Sequence, residues 1–209
     1  DTHVEPPDRP NAALSPSDLG GAKALFGTVP GLEFVDEATA LRLGTVLHLL
    51  LEHLAGVAPE DRQRLAPMIV TNSRETVTDA ELPAVLAEVE QVLDAPALRP
   101  LFAPDALAEV EITATLPDLD HARIHGTIDR LIVTPERVLA VDFKSNRVVP
   151  DRPEDTPEGL LRQMGAYAAA LKQVYPDRQV DIALLWTRDA RLMEVPCDLA
   201  MAAMRRAAP

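Results

Sequence analysis

The chain has 209 residues, of which 47% are hydrophobic and 25% are charged, and its formal net charge is −13. A hydrophobic fraction of this size can bury a core, which excludes a disordered protein and favours one domain with an accessory segment. The only cysteine, Cys197, excludes a disulfide framework within the chain and cannot by itself hold a zinc ion or an iron–sulfur cluster.

The sequence predicts neither a membrane span nor an export signal. No apolar run approaches the roughly 20 residues that cross a bilayer, and the opening residues lack the charged-then-apolar pattern of a signal peptide. We therefore expect no membrane partner. The cysteine usage fits a reducing cytoplasm, which is the location that we expect.

The charge is distributed unevenly along the chain. A net charge of −13 argues against a nucleic-acid partner, because backbone phosphates repel a uniformly acidic surface. However, residues 1–120 carry 7 Lys and Arg against 21 Asp and Glu, whereas residues 121–209 carry 13 against 12. Any surface that faces phosphates is therefore expected in the second part.

The first segment of the chain differs from the rest. Residues 1–31 hold many prolines and glycines with little periodicity, which predicts a linker or an extended strap that contributes no core. The folded domain is expected over residues 32–209.

A helical layer is predicted over residues 36–95. The apolar spacing indicates three helices, at about 36–56, 59–70 and 79–94. Asp36 is suited to cap the first helix and Gly56 to end it. Thr78 and Glu81 have the spacing of a capping box at the start of the third helix.

A second unit, the expected catalytic core, covers residues 105–196. Its segments rich in Val, Ile, Leu and Thr predict an antiparallel meander of strands at 107–115, 122–133 and 137–143. The next segments predict a crossover helix at 157–174, a buried strand at 179–187, a short strand at about 191–195 and a terminal helix. No internal repeat is evident.

Two carboxylates and a lysine stand at the ends of neighbouring predicted strands. Asp129 ends one strand and Asp142 the next, and Lys144 shares a strand face with Asp142 because side chains alternate. Mg²⁺ and Mn²⁺ prefer oxygen ligands, and an ammonium group beside them suits phosphodiester hydrolysis. An isolated Asp-x-Lys is more often a surface ion pair. Its position after an apolar strand favours the metal site.

The crossover helix adds an amide and a phenol. Gln163 and Tyr167 are four residues apart and therefore lie on one helix face. In isolation, such a pair is more often a core tyrosine beside a solvated glutamine. In this position, both side chains can hold a phosphate or orient the carboxylate and lysine.

The ordered motifs resemble a known family. They are Gly44-x-x-x-His48, Gly126-x-x-Asp129-Arg130, Asp142-x-Lys144 and Gln163-x-x-x-Tyr167. Further likeness lies in Leu14-Ser-Pro-Ser17, Ala183-Leu-Leu-Trp186 and Arg191-Leu-Met-Glu194. Together they resemble the RecB-family branch of PD-(D/E)XK nucleases, most strongly the nuclease end of AddA-type helicase–nuclease subunits. The likeness covers roughly residues 12–196.

The resemblance implies a restriction-endonuclease-like α/β fold, with a mixed sheet of about five strands flanked by helices and the helical layer above it. It implies Mg²⁺, or Mn²⁺, as the cofactor. The implied metal ligands are His48, Asp129, Asp142, the backbone carbonyl of Phe143 and a carboxylate on the first strand. The implied catalytic residues are Lys144, Asp142, Asp129, Gln163 and Tyr167. His53 matches no motif and is expected to be structural.

The first-strand carboxylate is ambiguous. Glu109 and Glu111 alternate with apolar residues and therefore point to the same face. Aligning the family pattern on Ile112 makes Glu109 the counterpart, so we favour Glu109 and keep Glu111 as the alternative.

The resemblance also implies partners: single-stranded DNA ends fed by a helicase, the helicase portion of a parent chain and an AddB-type subunit, in a machine that resects double-strand breaks for recombination. The arginines expected to border the DNA are Arg130, Arg147, Arg162, Arg188 and Arg191, for which a solvated surface role is equally plausible. No Gly-x-x-x-x-Gly-Lys-Ser/Thr loop is present, so no motor activity is expected in this chain. The alternatives are an inactive DNA-binding scaffold and a standalone exonuclease.

Overall fold

The computed structural model describes residues 13–19, 36–146 and 148–207. The helices are α1 (Glu37–Leu54), α2 (Pro59–Asn72), α3 (Leu82–Asp94), α4 (Glu158–Val174) and α5 (Cys197–Arg205). The strands are β1 (Leu107–Leu116), β2 (Ala122–Val133), β3 (Arg137–Lys144), β4 (Gln179–Trp186) and β5 (Arg191–Val195). Among the described residues, no helix combines the length and the apolar character needed to span a membrane.

The strands form one five-stranded mixed sheet in the order β1-β2-β3-β4-β5. The first three strands pair as an antiparallel meander, β3 and β4 are parallel, and β5 returns antiparallel to β4. The parallel pair follows from α4, which carries the chain back across one face of the sheet. The predicted fold, a mixed sheet of about five strands flanked by helices, is confirmed.

Each face of the sheet has its own hydrophobic core. On one face the sheet packs against α4 and α5, and on the other it packs against the helical layer formed by α1, α2 and α3. Strand β3 shows how the faces alternate: Val138 and Ala140 belong to the first core, whereas Leu139, Val141 and Phe143 belong to the second. By the same alternation, Asp142 and Lys144 face α4.

The helical layer begins as predicted. The Asp36 carboxylate accepts a hydrogen bond from the Thr39 N–H at 2.8 Å and caps α1. Helix α3 begins at Leu82 rather than at residue 79. The reason is Pro83, which has no N–H to continue a helix started earlier and is tolerated only in the first turn.

The two residues of the predicted capping box still meet. The Glu81 carboxylate accepts from the Thr78 N–H at 2.8 Å, which is one of the two bonds of a capping box. The same carboxylate binds the Arg42 guanidinium of α1, with Nη2 at 2.6 Å. Glu81 therefore connects α3 to α1 and also holds the loop before α3 through the Thr78 N–H.

Residues 13–19 form a strap along β2. Leu14 donates to the Arg123 carbonyl at 2.8 Å and accepts from the His125 N–H at 3.0 Å. Pro16 is buried over Gly126, where a Cβ would meet its Cδ at 2.7 Å. Residues 13–19 thus run along β2, and Pro16 is buried against it. The remainder of residues 1–31 lies outside the described residues.

Candidate metal centre

Three side chains from three elements converge beside the sheet. His48 comes from α1, Glu109 from β1 and Asp129 from β2, and one ligand atom of each lies within 4.8 Å of the other two. The His48 Nδ1 atom is 3.2 Å from Asp129 Oδ1. We call these three residues the ligand group.

Local backbone features bring the ligand group together. Gly44 lies one turn before His48, and a Cβ there would meet Ser145 Oγ at 3.3 Å, so glycine lets α1 approach the end of β3. Glu109 lies opposite Asp129, between the pairs Ala108–Arg130 and Val110–Ile128. Its φ of 48° is left-handed, a conformation that is rare for a residue with a long side chain and that concentrates at functional sites.

Strand β2 departs from simple alternation at the site. Ile128 and Leu131 both belong to the core on the α4 side, although they are three positions apart and simple alternation would place them on opposite faces. As a result, Asp129 and Arg130 both contact α1: Asp129 pairs with His48, and Arg130 Nη2 donates to the Leu51 carbonyl at 3.1 Å.

The other half of the site faces α4. Asp142 and Lys144 form a close ion pair, as their shared strand face predicts. Gln163 Nε2 donates to Asp142 Oδ1 at 2.9 Å and lies 3.3 Å from the Tyr167 hydroxyl. That hydroxyl donates to the Thr127 carbonyl at 2.6 Å, which connects α4 to β2. We call these four side chains the lysine group: Asp142, Lys144, Gln163 and Tyr167.

The charges of the site interact strongly. Burial opposes the charged form of His48, but attraction to Asp129 outweighs it and raises the pKa of His48. Burial likewise opposes the charged form of Asp129, but His48 and the N–H of Phe143 outweigh it and lower the pKa of Asp129. Burial and then the Asp129 charge raise the pKa of Glu109. Burial, reinforced by Asp129 and despite Lys144, raises the pKa of Asp142.

The ligand group has the chemistry of a divalent-cation site. Two carboxylates supply the hard oxygen ligands that Mg²⁺ and Mn²⁺ prefer, and an imidazole suits Mn²⁺ better than Mg²⁺. Burial, together with the Asp129 charge, raises the pKa of both Glu109 and Asp142, so both disfavour the charged form in the absence of a further cation. A bound cation would offset this effect. The residues present therefore fit the metal that the motifs imply.

The structure also places the other expected ligands. Asp142 lies outside the ligand group, and its carboxylate is bound by Lys144 and Gln163. The N–H of Phe143 donates to Asp129, and its ring packs in the helical-layer core. Glu111 is exposed on β1 and lies outside the ligand group, so the geometry favours Glu109 over the alternative.

The arginines expected beside DNA have varied positions. Arg130 is buried against α1, so its guanidinium faces the interior rather than a DNA path, contrary to our expectation. Arg162 donates to the Leu19 carbonyl at 3.1 Å and to Glu158 at 3.2 Å, which ties α4 to the strap. Arg191 donates to the Pro150 carbonyl. Arg188 lies in a turn, and its backbone carbonyl accepts a hydrogen bond from the Gln91 side chain. Arg147 is outside the described residues.

Two polar residues near β3 had no motif to mark them. The Thr187 hydroxyl is within hydrogen-bond reach of the Lys144 carbonyl, at 3.3 Å, and of the Glu88 carboxylate on α3. Thr187 and Glu88 together connect the end of β3 to the helical layer. The only sequence signal was the position of Thr187 directly after the Ala183-Leu-Leu-Trp186 motif. His53 is half exposed and lies 3.5 Å from Glu52, apart from the ligand group.

A sequence profile of the PD-(D/E)XK nuclease superfamily matches residues 22–199. The chain belongs to this superfamily. The match contains every motif residue of the ligand and lysine groups, and it confirms the family that the ordered motifs predict.

Individual relatives agree with this membership. An ATP-dependent helicase/nuclease subunit from Lactiplantibacillus plantarum is 29% identical over 168 residues, which are 70% of this chain and 13% of that protein. The protein of the same name from Oenococcus oeni is 22% identical over 187 residues, 82% of this chain and 16% of that protein. This PD-(D/E)XK chain thus spans less than a fifth of the length of either curated relative.

One solved structure also matches. The crystal structure of SSO0001 has 14% sequence identity and covers 83% of this chain and 85% of its own, with a TM-score of 0.32. A likeness at this level supports no argument about function.

Proposed function

We propose that this PD-(D/E)XK domain is a Mg²⁺-dependent deoxyribonuclease, with Mn²⁺ as an alternative cofactor, and that it trims single-stranded DNA ends as the nuclease part of an AddA-type helicase–nuclease. One observation carries the proposal: in a member of a nuclease superfamily, three side chains that could hold a metal ion stand beside a carboxylate–lysine pair. The motor portion, a partner of the AddB type, and a role in resecting double-strand breaks belong to the same proposal, supported by the two helicase/nuclease relatives.

The ligand group would hold the cation, with Asp142 and the carbonyl of Phe143 as further ligands. A divalent cation there would lower the pKa of a water molecule and offset the charge of the scissile phosphate. The ammonium group of Lys144 is held by Asp142 and would donate to the attacking water or to a phosphate oxygen. A new bond forms between the water oxygen and phosphorus, one ester bond to phosphorus breaks, and the enzyme is not covalently modified.

Gln163 and Tyr167 would keep the lysine group in place. Gln163 fixes Asp142, and Tyr167 joins Gln163 to the backbone of β2. Because Gln163 is buried and its Oε1 atom has no partner among the described residues, it also offers an acceptor within the site. An acceptor in this position would suit a hydrogen-bond donor such as a water molecule.

The test compares nuclease activity on several substrates. Wild-type chain is incubated at low salt with end-labelled single-stranded DNA, its circular form, duplex DNA and RNA, with Mg²⁺, Mn²⁺ or EDTA. We expect metal-dependent shortening of linear single-stranded DNA and protection of the circle. The matched variant, Asp142→Asn with Lys144→Met, keeps the shape of the pair and removes its charges, so it should be inactive. Equal cleavage by this variant would overturn the active-site assignment.

The net charge of −13 should weaken DNA binding by the isolated chain, which favours an enzyme that needs a motor to deliver the strand. The alternative is a DNA-binding scaffold without activity. The two are separated by repeating the assay with the domain fused to, or encoded within, its helicase. Cleavage that appears only there supports the helicase–nuclease, and an inert fusion supports the scaffold. The reading frame on both sides of this segment separates a helicase–nuclease from a standalone exonuclease.

A further inference from the structure

Arg130 is a buried cation next to a proposed metal ligand. It is 5% exposed, although it lies at the edge of a site that must admit DNA. One guanidinium nitrogen, Nη2, donates to the Leu51 carbonyl of α1 at 3.1 Å. The guanidinium carbon lies 5.2 Å from the centre of the Phe102 ring, which is the range of a cation–π contact.

These contacts continue around the site to His48. The Phe102 and Phe143 rings are 6.1 Å apart, and the Phe143 ring meets the His48 imidazole edge-on at 5.6 Å. The backbone N–H of Phe143 donates to Asp129. A closed chain of contacts therefore runs from Arg130 through two rings to His48, and back along one turn of α1 from His48 to Leu51.

Electrostatics hold the guanidinium in this position. Arg130 is attracted by the carboxylates of Glu109, Glu52 and Asp129. A buried cation is costly, and an apolar residue would fill the same space without that cost. Lysine would not replace it, since only the planar guanidinium can both stack on a ring and donate sideways to a carbonyl.

We propose that Arg130 is a positioning residue that holds α1 against β2, so that His48 meets Asp129 and Glu109 around the metal ion. It acts from within the protein and does not contact DNA. The inference rests on the proposed function, because it assigns Arg130 to the metal site of that function.

The chain contains a matched control. Arg62 is also 5% exposed, and it likewise binds a backbone carbonyl near the end of α1, that of Val57 at 3.2 Å. Its other partner is Asp94 of α3, at 2.7 Å. Arg62→Lys therefore reproduces the loss of a buried arginine in the helical layer without touching the ligand group.

The test measures Mn²⁺ binding by calorimetry, and melting temperature, for the whole chain and its variants. Arg130→Lys should weaken Mn²⁺ binding by about tenfold, the low end for a partner that orients a metal ligand. Arg62→Lys should change it by less than about twofold at a similar melting temperature. Equal losses for the two variants would show that Arg130 only stabilises the fold and would overturn the inference.

A double-mutant cycle sharpens this result. If Arg130 acts through His48, then Arg130→Lys should cause no further loss of Mn²⁺ affinity in a His48→Ala background. A full additional tenfold loss would contradict the inference. If Arg130→Lys does not fold, Phe102→Leu loosens the same stack and is measured in the same way.

A readout without metal separates this inference from the proposed function. The nitrogen shifts of the His48 ring, measured by NMR in EDTA, report its contact with Asp129. Arg130→Lys should move them and Arg62→Lys should not. Wild-type chain that binds no Mn²⁺ would overturn the proposed function, whereas a His48 ring unchanged by Arg130→Lys would overturn only the role of Arg130.

Discussion

The ligand group and the lysine group approach the same end of the sheet from opposite faces, and they are built differently. The ligand group takes one side chain from each of three elements, and two of its members are at least partly exposed. The lysine group takes two alternate positions of β3 and two positions one turn apart on α4, and hydrogen bonds and an ion pair connect all of its members. The ligand group can receive a cation from solvent, whereas the lysine group already contains a cation, Lys144.

The difference indicates that the two groups have different roles in metal binding and in cleavage. Lys144 already has a carboxylate partner in the structure, the almost fully buried Asp142. By contrast, Glu109 and Asp129 face each other with only His48 as a close cationic partner within the ligand group. The ligand group, with Asp142 as a further ligand, should therefore control metal affinity, and Lys144 should control the rate of cleavage.

The largest effect is expected from the ligand group. Asp129→Asn removes a charged ligand and the partner of His48, so Mn²⁺ affinity should fall by more than about 100-fold, the upper range for losing a mere orienting partner. Cleavage of single-stranded DNA should fall with it. Calorimetry measures the Mn²⁺ affinity, and the end-labelled DNA assay measures the cleavage. Asp181→Asn on β4, which disturbs the ion pair with Arg137, is the control and should retain both properties. Unchanged Mn²⁺ affinity in Asp129→Asn would contradict the assignment of metal binding to the ligand group.

The lysine group should give a smaller and different effect. Lys144→Ala should lower the cleavage rate by at least about 10²-fold, the low end for a lost proton-transfer or electrostatic contribution. Mn²⁺ binding should stay the same or strengthen slightly, because a nearby positive charge is removed. Single-turnover cleavage at saturating Mn²⁺ measures this. Lys172→Ala, an exposed lysine of α4, should behave as wild type.

Tyr167 should have a modest effect within the lysine group. Tyr167→Phe removes the hydrogen bond to the Thr127 carbonyl, a contribution of about 1 kcal/mol, and should lower the cleavage rate about fivefold at unchanged Mn²⁺ affinity. Tyr175→Phe, at the end of the same helix with its ring under Arg178, is the matched control. A loss of metal affinity as large as the loss of rate would place Tyr167 in the ligand group instead.

The smallest effect concerns stability alone. Arg42, followed by the Thr78 N–H, lowers the pKa of Glu81 from 4.5 to about 2. The stabilisation is therefore fully present above pH 4.5 and is lost as the pH falls toward 2. Glu81→Gln should reduce the free energy of unfolding by about 1–2 kcal/mol at pH 7 and progressively less below pH 4.5.

Chemical denaturation across this pH range measures the effect of Glu81→Gln. Glu90→Gln on the same helix is the control and should show no such pH dependence. Mn²⁺ affinity at pH 7 should be unchanged by either variant. An altered affinity would mean that the helical layer regulates the ligand group through α1.

Most elements of the fold could be predicted because their cause is local. Apolar spacing and caps located α1 and α4, and alternation located the strands and the shared face of Asp142 and Lys144. Helix α3 begins three residues later than its capping pattern predicts, because Pro83 is tolerated only in the first turn of a helix. Within the lysine group, periodicity predicts that Asp142 and Lys144 share a strand face and that Gln163 and Tyr167 share a helix face. That these two faces meet depends on the packing of α4 on the sheet.

The sequence by itself determined which residues can do chemistry, their order, and the family in which that order occurs. Only the tertiary structure decided how the three ligand elements meet. Glu109 is distinguished from Glu111 by the pairing of β1 with β2 and by its left-handed backbone. Arg130 turns inward because β2 departs from alternation against α1. Contacts between elements distant in sequence depend on the packing of all the layers together, and no local periodicity encodes them.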